Sequence, residues 1–188
     1  MKRCWISLVI LFSLCICLLF SACETGPFPE KQMTAADLVF SLDGEVKITM
    51  GDSIYTGAFQ YDPTKVAHLT VESPEALKGL SYFWKGDGFQ MTYEGLSVNA
   101  KDCPLDSGFA PLLIQALNTA QQTERLMPTE KNSFQGQNGD MQFTVTADPS
   151  TGKIQSVSIP KYDFLATFLY PAVPSNVPLD GEVYAEYP

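Results

Sequence analysis

Any chemistry in this chain has to be built from few specialised side chains. His68 is the one histidine, so a nucleophilic triad that needs an imidazole would have to use it. It lies in Val66-Ala67-His68-Leu69, on the strand face opposite Leu69, and the chain holds no Gly-x-Ser-x-Gly elbow. That is the pattern of a solvent-facing strand histidine. One histidine and one spare cysteine, Cys103, fall short of a zinc ligand set. Cys103 precedes Pro104 and reads as a small buried hydrophobe; a reactive thiol or intermolecular bridge is the alternative. Carboxylates abound, but Asp140, Asp148 and Asp163 sit at turns or strand edges, as ordinary surface acids do. Asp37-Leu38 and Asp43-Gly44 lack the dense oxygen ladder of a calcium loop. Gly86-Asp87-Gly88 leads into no helix and so makes no phosphate cradle. The expectation is no enzyme, no metal and no cofactor, with a carboxylate-based cell-wall hydrolase as the catalytic alternative.

One cysteine does sit in a reactive context. Met1-Lys2-Arg3 is a short basic start, and an apolar run follows from Trp5 to Phe20, broken only by Ser7 and Ser13. The run is shorter than the ~20 residues of a spanning helix and suits the apolar region of a signal peptide. It ends in Leu19-Phe20-Ser21-Ala22-Cys23. This resembles the lipobox of bacterial lipoproteins, in which the thiol takes diacylglycerol and becomes the first residue after cleavage. Small Ser21 and Ala22 fit a peptidase that needs a slim extended chain, while Phe20 is bulkier than the residue usual there. Residues 1–22 are therefore expected to be a signal peptide, Cys23 the lipidated N-terminus, and residues 23–35 the lipidated cysteine and its tether. Two acyl chains of the palmitate kind, at ~0.8 kcal/mol per buried methylene, would anchor the chain stably to the extracytoplasmic face of the cell membrane. The alternative is an uncleaved N-terminal membrane helix.

The charge agrees with an acyl anchor. Without Lys2 and Arg3, ten basic residues face twenty-one acidic ones, a net charge of −11. Nucleic-acid binding wants a basic face, and so does adhesion to anionic lipid heads, so both are excluded as main sources of affinity. Four of the five cysteines lie at or before position 23, so no disulfide framework is implied.

The elements that must position everything else are mostly strands. Leu38, Phe40 and Leu42, then Val46, Ile48 and Met50, recur at period two from Asp37 to Met50, with Asp43-Gly44 expected as a bend or bulge. Tyr55 to Tyr61, Val66 to Glu72, Leu80 to Lys85, Phe89 to Tyr93 and Leu96 to Ala100 alternate likewise. Ser73 to Gly79 predicts one helical turn. Phe109, Leu113, Ala116, Leu117 and Ala120 make one apolar helical stripe, with Asp106 or Ser107 as its cap and Pro128 closing the region. Ser133 to Gln137, Asp140 to Ala147, Lys153 to Ile159 and Tyr162 to Tyr170 follow as strands, with turns at Asn138-Gly139 and Asp148 to Gly152. Residues 171–188 hold four of the thirteen prolines and read as an extended tail. The expected fold is α+β and mostly antiparallel: one continuous meander over residues 36–170, curved into an incomplete β-barrel, or half-barrel, covered by one main helix.

Three runs add a family resemblance. Pro74-Glu75-Ala76-Leu77-Lys78-Gly79-Leu80, Trp84-Lys85-Gly86-Asp87-Gly88-Phe89 and Tyr93-Glu94-Gly95-Leu96 resemble segments of small lipoproteins from Gram-positive anaerobes. Asp148-Pro149-Ser150-Thr151-Gly152-Lys153 fits their late hairpin, and the Phe109 to Ala120 helix falls where theirs does. Their strand order is similar to the lipoprotein-carrier fold of LolA and LolB, a half-barrel with a helical lid that holds acyl chains. The resemblance spans roughly Asp37 to Tyr170 and rests on turn and packing residues. The long N-terminal helix of the carriers has no counterpart, and no acyl-transfer residue carries over.

The resemblance gives the aromatics a second meaning. Tyr82 and Trp84 share one strand face, Phe89, Met91 and Tyr93 another, and Tyr162, Phe164 and Phe168 a third. With Leu113 and Leu117 of the helix they either fill the core, which is the stronger reading, or line a cleft for an apolar ligand, with Trp84 as first contact. The leading functional expectation is a non-enzymatic, membrane-anchored binding module for an acyl chain or a lipoprotein partner. A structural envelope lipoprotein without a small ligand is the alternative.

Overall fold

The computed structural model describes residues 33–64, 66–86, 88–101 and 108–171. The signal peptide, Cys23, the tether, Cys103, the expected caps Asp106 and Ser107, and the tail beyond 171 lie outside the described residues. Among the described residues no helix is long and apolar enough to cross a membrane.

Period-two alternation is obeyed almost throughout, and it builds a single sheet. β1 (Leu42–Met50), β2 (Ser53–Asp62), β3 (Val66–Ser73), β4 (Ser81–Lys85), β5 (Gly88–Tyr93) and β6 (Leu96–Ala100) run outward as one antiparallel meander. One helix, α1 (Phe109–Ala120), comes next. β7 (Met127–Glu130), β8 (Ser133–Asn138), β9 (Met141–Ala147), β10 (Ile154–Ile159) and β11 (Phe164–Leu169) form a second meander. The two join where β1 pairs with β11, from Glu45 opposite Leu169 to Met50 opposite Phe164. The order across the sheet is β6-β5-β4-β3-β2-β1-β11-β10-β9-β8-β7, all neighbours antiparallel.

This overturns the expected half-barrel covered by a helix. The sheet has eleven strands and is open, because β6 and β7 end it without pairing to each other. The reason is one of size. Eleven strands at ~4.8 Å spacing span about 48 Å, whereas twelve helical residues reach about 18 Å and cover a strip about 10 Å wide. One helix cannot lid such a sheet, so the sheet dominates. Nor is it one continuous meander: the first and last strands meet at its centre.

Local corrections have equally simple causes. Asp43-Gly44 makes no bend, since β1 pairs without a slip from Leu42 to Met50. Leu42 and Val46 have the same parity, so no extra residue is needed between them. Gly44 instead lets β11 come close: a Cβ there would lie 2.5 Å from the Leu169 carbonyl oxygen. Leu38 and Phe40 are buried but precede the strand, after one helical turn at Ala35–Asp37. Tyr162 belongs to a one-turn helix, Pro160–Tyr162, which ends at a left-handed Asp163. β7 departs from the sequence expectation because Pro128 reads as a terminator; it is a short outermost strand with a register slip after Pro128, the kind of position at which a sheet tolerates proline.

The core lies on one face of the sheet. Val46, Ile48, Phe59, Leu69, Phe143, Val145, Ile154 and Val157 are all nearly inaccessible. α1 buries nine of its twelve residues, more than the single stripe expected, because Ala110, Pro111, Leu112 and Ile114 are covered as well. Its cap is Gly108 in an extended conformation, and Pro111 falls in the first turn, where it forfeits no helical hydrogen bond.

Candidate functional site

The side chains expected to line a cleft come together beneath and beside α1. Leu113 and Leu117 point from the helix into the core, with no measurable exposure. A side chain with none borders no void large enough for water, so the space at these two positions is filled. Phe109, at the start of α1, stacks on Tyr55 of β2 at 4.1 Å between ring centroids and meets Tyr82 of β4 edge-on at 5.7 Å. Tyr82 stacks on Trp84 at 5.7 Å, and Trp84 lies 5.3 Å from Phe89. Trp84, with 8% of its surface accessible, is inside this aromatic cluster rather than on its rim. Phe164 and Phe168 are buried on β11, and Phe168 lies 5.6 Å from Phe59. Asn118 of α1 accepts a hydrogen bond from the Tyr61 hydroxyl at 2.7 Å, which locks the helix to β2. Burial first, and Asp62 second, push the Tyr61 phenol well above the usual tyrosine range.

Met91 and Tyr93 differ from the rest. They are half-buried, and the register places Met91 opposite Val98 and Tyr93 opposite Leu96. Directly paired side chains stand on the same face, here the core face. Leu96 is 75% exposed and Val98 46% exposed. An apolar strip therefore continues from the aromatic cluster to the sheet's edge at β6. The Tyr93 hydroxyl donates to the Ala76 carbonyl at 2.6 Å, fixing one side of the strip. Met91 and Tyr93 are among the residues the sequence offers for a cleft; Leu96 and Val98 alternate as plainly, but only the pairing of β5 with β6 sets them beside that cluster.

The opposite face carries a different constellation. Asp43, Gln60, His68 and Phe83 are cross-strand neighbours from β1 to β4. With Asp62 they line an open groove of about 300 Å³. Gln60 Nε2 donates to Asp43 Oδ1 at 3.3 Å. His68 Nε2 lies 2.8 Å from Ser81 Oγ and 3.3 Å from Thr70 Oγ1. The Phe83 ring meets His68 edge-on at 6.2 Å. Hydrogen bonds from the Thr64 hydroxyl, and then from its backbone N–H, hold the Asp62 carboxyl below the usual range. A serine beside a histidine is the start of a nucleophile–base pair. A triad also needs an orienting acid on the imidazole and free donors for an oxyanion; here the pair lies on a sheet surface whose backbone N–H groups serve the ladder. The alternation of residues 66–69 sets His68 on the outer face but gives no sign of Ser81 as its neighbour. The link depends on the β3–β4 register, which the excursion through Glu75–Leu77 hides.

A second groove, of about 250 Å³, lies by Arg125, Gln135, Gln137 and Gln142. Among the described residues no cluster of three metal-ligating side chains occurs.

No family model and no curated protein matches this chain. Among solved structures it is similar to a LolA-superfamily protein from Nitrosomonas europaea, at 10% identity and a TM-score of 0.35. That match covers 70% of this chain and 65% of the other, less than two thirds of the other protein's length. A likeness so distant bears on neither ligand nor activity.

Proposed function

We propose that this chain is a membrane-anchored, extracytoplasmic lipoprotein whose domain is a non-enzymatic binding module for an apolar group, an acyl chain above all. Cys23 carries the diacylglycerol in this reading. The supporting observation for the domain is the apolar strip Met91, Tyr93, Leu96 and Val98. It is continuous with the core, lies on its face and is left open at a sheet edge. Covering an exposed leucine or valine is worth about 1.5–3 kcal/mol for full burial, so a partner has much to gain there. The filled space at Leu113 and Leu117 favours a surface strip over a deep carrier cavity.

A second reading rests on the same strand. β6 is the last strand of its side, and such an edge accepts an extended segment of an envelope protein by strand addition. The test uses the full chain expressed in a bacterium and purified in detergent. A photoreactive fatty-acyl lipid should crosslink near Met91 and Val98, and Leu96→Asp with Val98→Asp should abolish the crosslink. In the same cells, labelled palmitate should appear on the wild type and not on Cys23→Ser. Crosslinking unaffected by the two aspartates would refute the strip, and label on Cys23→Ser would refute the anchor.

A further inference from the structure

The outer groove is used by neither the anchor nor the apolar strip. We propose that it binds a neutral or amino-bearing glycan chain, with one sugar ring seated against Phe83 beside His68 and the hydroxyls of the adjoining rings held by Gln60, Asp62 and Asp43. This goes beyond the function proposed above and does not rest on it.

The chemistry of the lining selects the ligand. Phe83 is 37% exposed, and its ring is held by the edge contact with His68. A sugar ring offers an apolar C–H face and a rim of hydroxyls, so it needs one flat apolar surface beside paired acceptors and donors. The carboxylates accept two hydroxyls each, the amide accepts and donates, and the imidazole does either. The bonds from Gln60 to Asp43 and between His68 and Ser81 use one atom of each side chain, and two-headed groups of this kind keep a second. A purely apolar ligand would strip water from these groups without replacing it. An anionic ligand would meet Asp43 and Asp62 together in a strongly acidic domain.

Geometry agrees with a chain rather than a single sugar. Asp43, Gln60, His68 and Phe83 stand on four successive strands, so they recur at about 4.8 Å along a line across the sheet. That step is close to the length of one ring in an extended glycan. The register continues the line outward through Gln90 and Asn99, a further pair of amides. The groove volume, about 300 Å³, stands at the lower end of the range for ligand clefts, enough for a ring or two. The side chains stand on paired strands, so little ordering is required on binding.

The full chain in detergent micelles would be titrated calorimetrically with a hexamer of N-acetylglucosamine, with cellohexaose, and with a polygalacturonate oligomer as anionic control. At least one neutral hexamer should bind. Phe83→Ala and Asp43→Asn should each weaken it about tenfold or more with unchanged melting midpoint. His68→Gln should weaken it too, and Leu96→Asp should bind as the wild type. Preference for the first hexamer would assign an amino sugar, and preference for the second a plain hexose. No binding of either at millimolar concentration would overturn the proposal, as would binding retained in Phe83→Ala and Asp43→Asn, or tighter binding of the anionic oligomer.

Discussion

Leu117→Ala separates a filled helix–sheet interface from a ligand cleft more sharply than any other single change. Leu117 has no accessible surface. Truncation to alanine removes three carbons from the apolar interior, about 2 kcal/mol of lost transfer free energy at ~0.8 kcal/mol per group. Where the neighbours cannot collapse, the void adds about 24 cal/mol per Å³, which brings such substitutions to about 2.7–5 kcal/mol. Leu117 packs on the core side of its own helix, which the Tyr61–Asn118 bond ties to β2, so collapse is restricted and about 3–4 kcal/mol is expected. A domain of this size has about 5–15 kcal/mol in all, so the loss is a large share. Leu96→Ala, at the exposed edge, is the control and should change stability by less than about 0.5 kcal/mol. Urea unfolding followed by near-ultraviolet circular dichroism reads both, as a shift in midpoint at constant slope. A Leu117→Ala loss below about 1 kcal/mol at unchanged slope would show that the space is not filled and would refute the reasoning.

Two further outcomes concern pH. Tyr61 and Tyr170 both have phenols raised by burial, Tyr170 to about 12, so the unfolded chain ionises them first. Their contribution is intact below about pH 10 and is lost as pH rises towards the folded values. Tyr61→Phe and Tyr170→Phe should flatten the alkaline fall of the urea midpoint; an unchanged slope in both would contradict this. Asp148 is held at about 2, chiefly by the Ser150 hydroxyl, with the Thr151 and Ser150 N–H groups. A depressed carboxylate stabilises above about pH 4 and loses that contribution as pH falls through its folded value. Asp148→Asn should therefore lower the neutral midpoint and weaken its dependence between about pH 4 and 2. Equal acid sensitivity in mutant and wild type would rule the turn out as a source.

Much of this was legible because period-two alternation is a direct record of which face is buried. Ala67, Leu69 and Val71 against His68, or Tyr82 and Trp84 against Phe83, need no tertiary knowledge to sort. The Phe109 to Ala120 helix was equally plain, since its apolar spacing has no strand equivalent. Tyr162 was misplaced because Pro160 starts a turn of helix that an aromatic run conceals. Gly44 was misread because a glycine in a strand signals either a bulge or a close approach, and only the partner strand tells which.

The sequence by itself determined ten of the eleven strands, their inward and outward faces, the Phe109–Ala120 helix and the acidic charge, because these follow from local periodicity and composition. Tertiary structure decided what lies side by side. The β1–β11 seam joins residues more than a hundred positions apart, and nothing local encodes it. The same holds for the openness of the sheet, which follows from eleven strands meeting, among the described residues, one α-helix of twelve residues. It holds too for the two surfaces proposed as sites. The strip exists because β6 sets Leu96 and Val98 opposite Tyr93 and Met91 at the sheet's edge, and the groove exists because strand register aligns Asp43, Gln60, His68 and Phe83. Alternation records only whether a side chain faces in or out; which neighbour it meets depends on loop closure and register between distant strands.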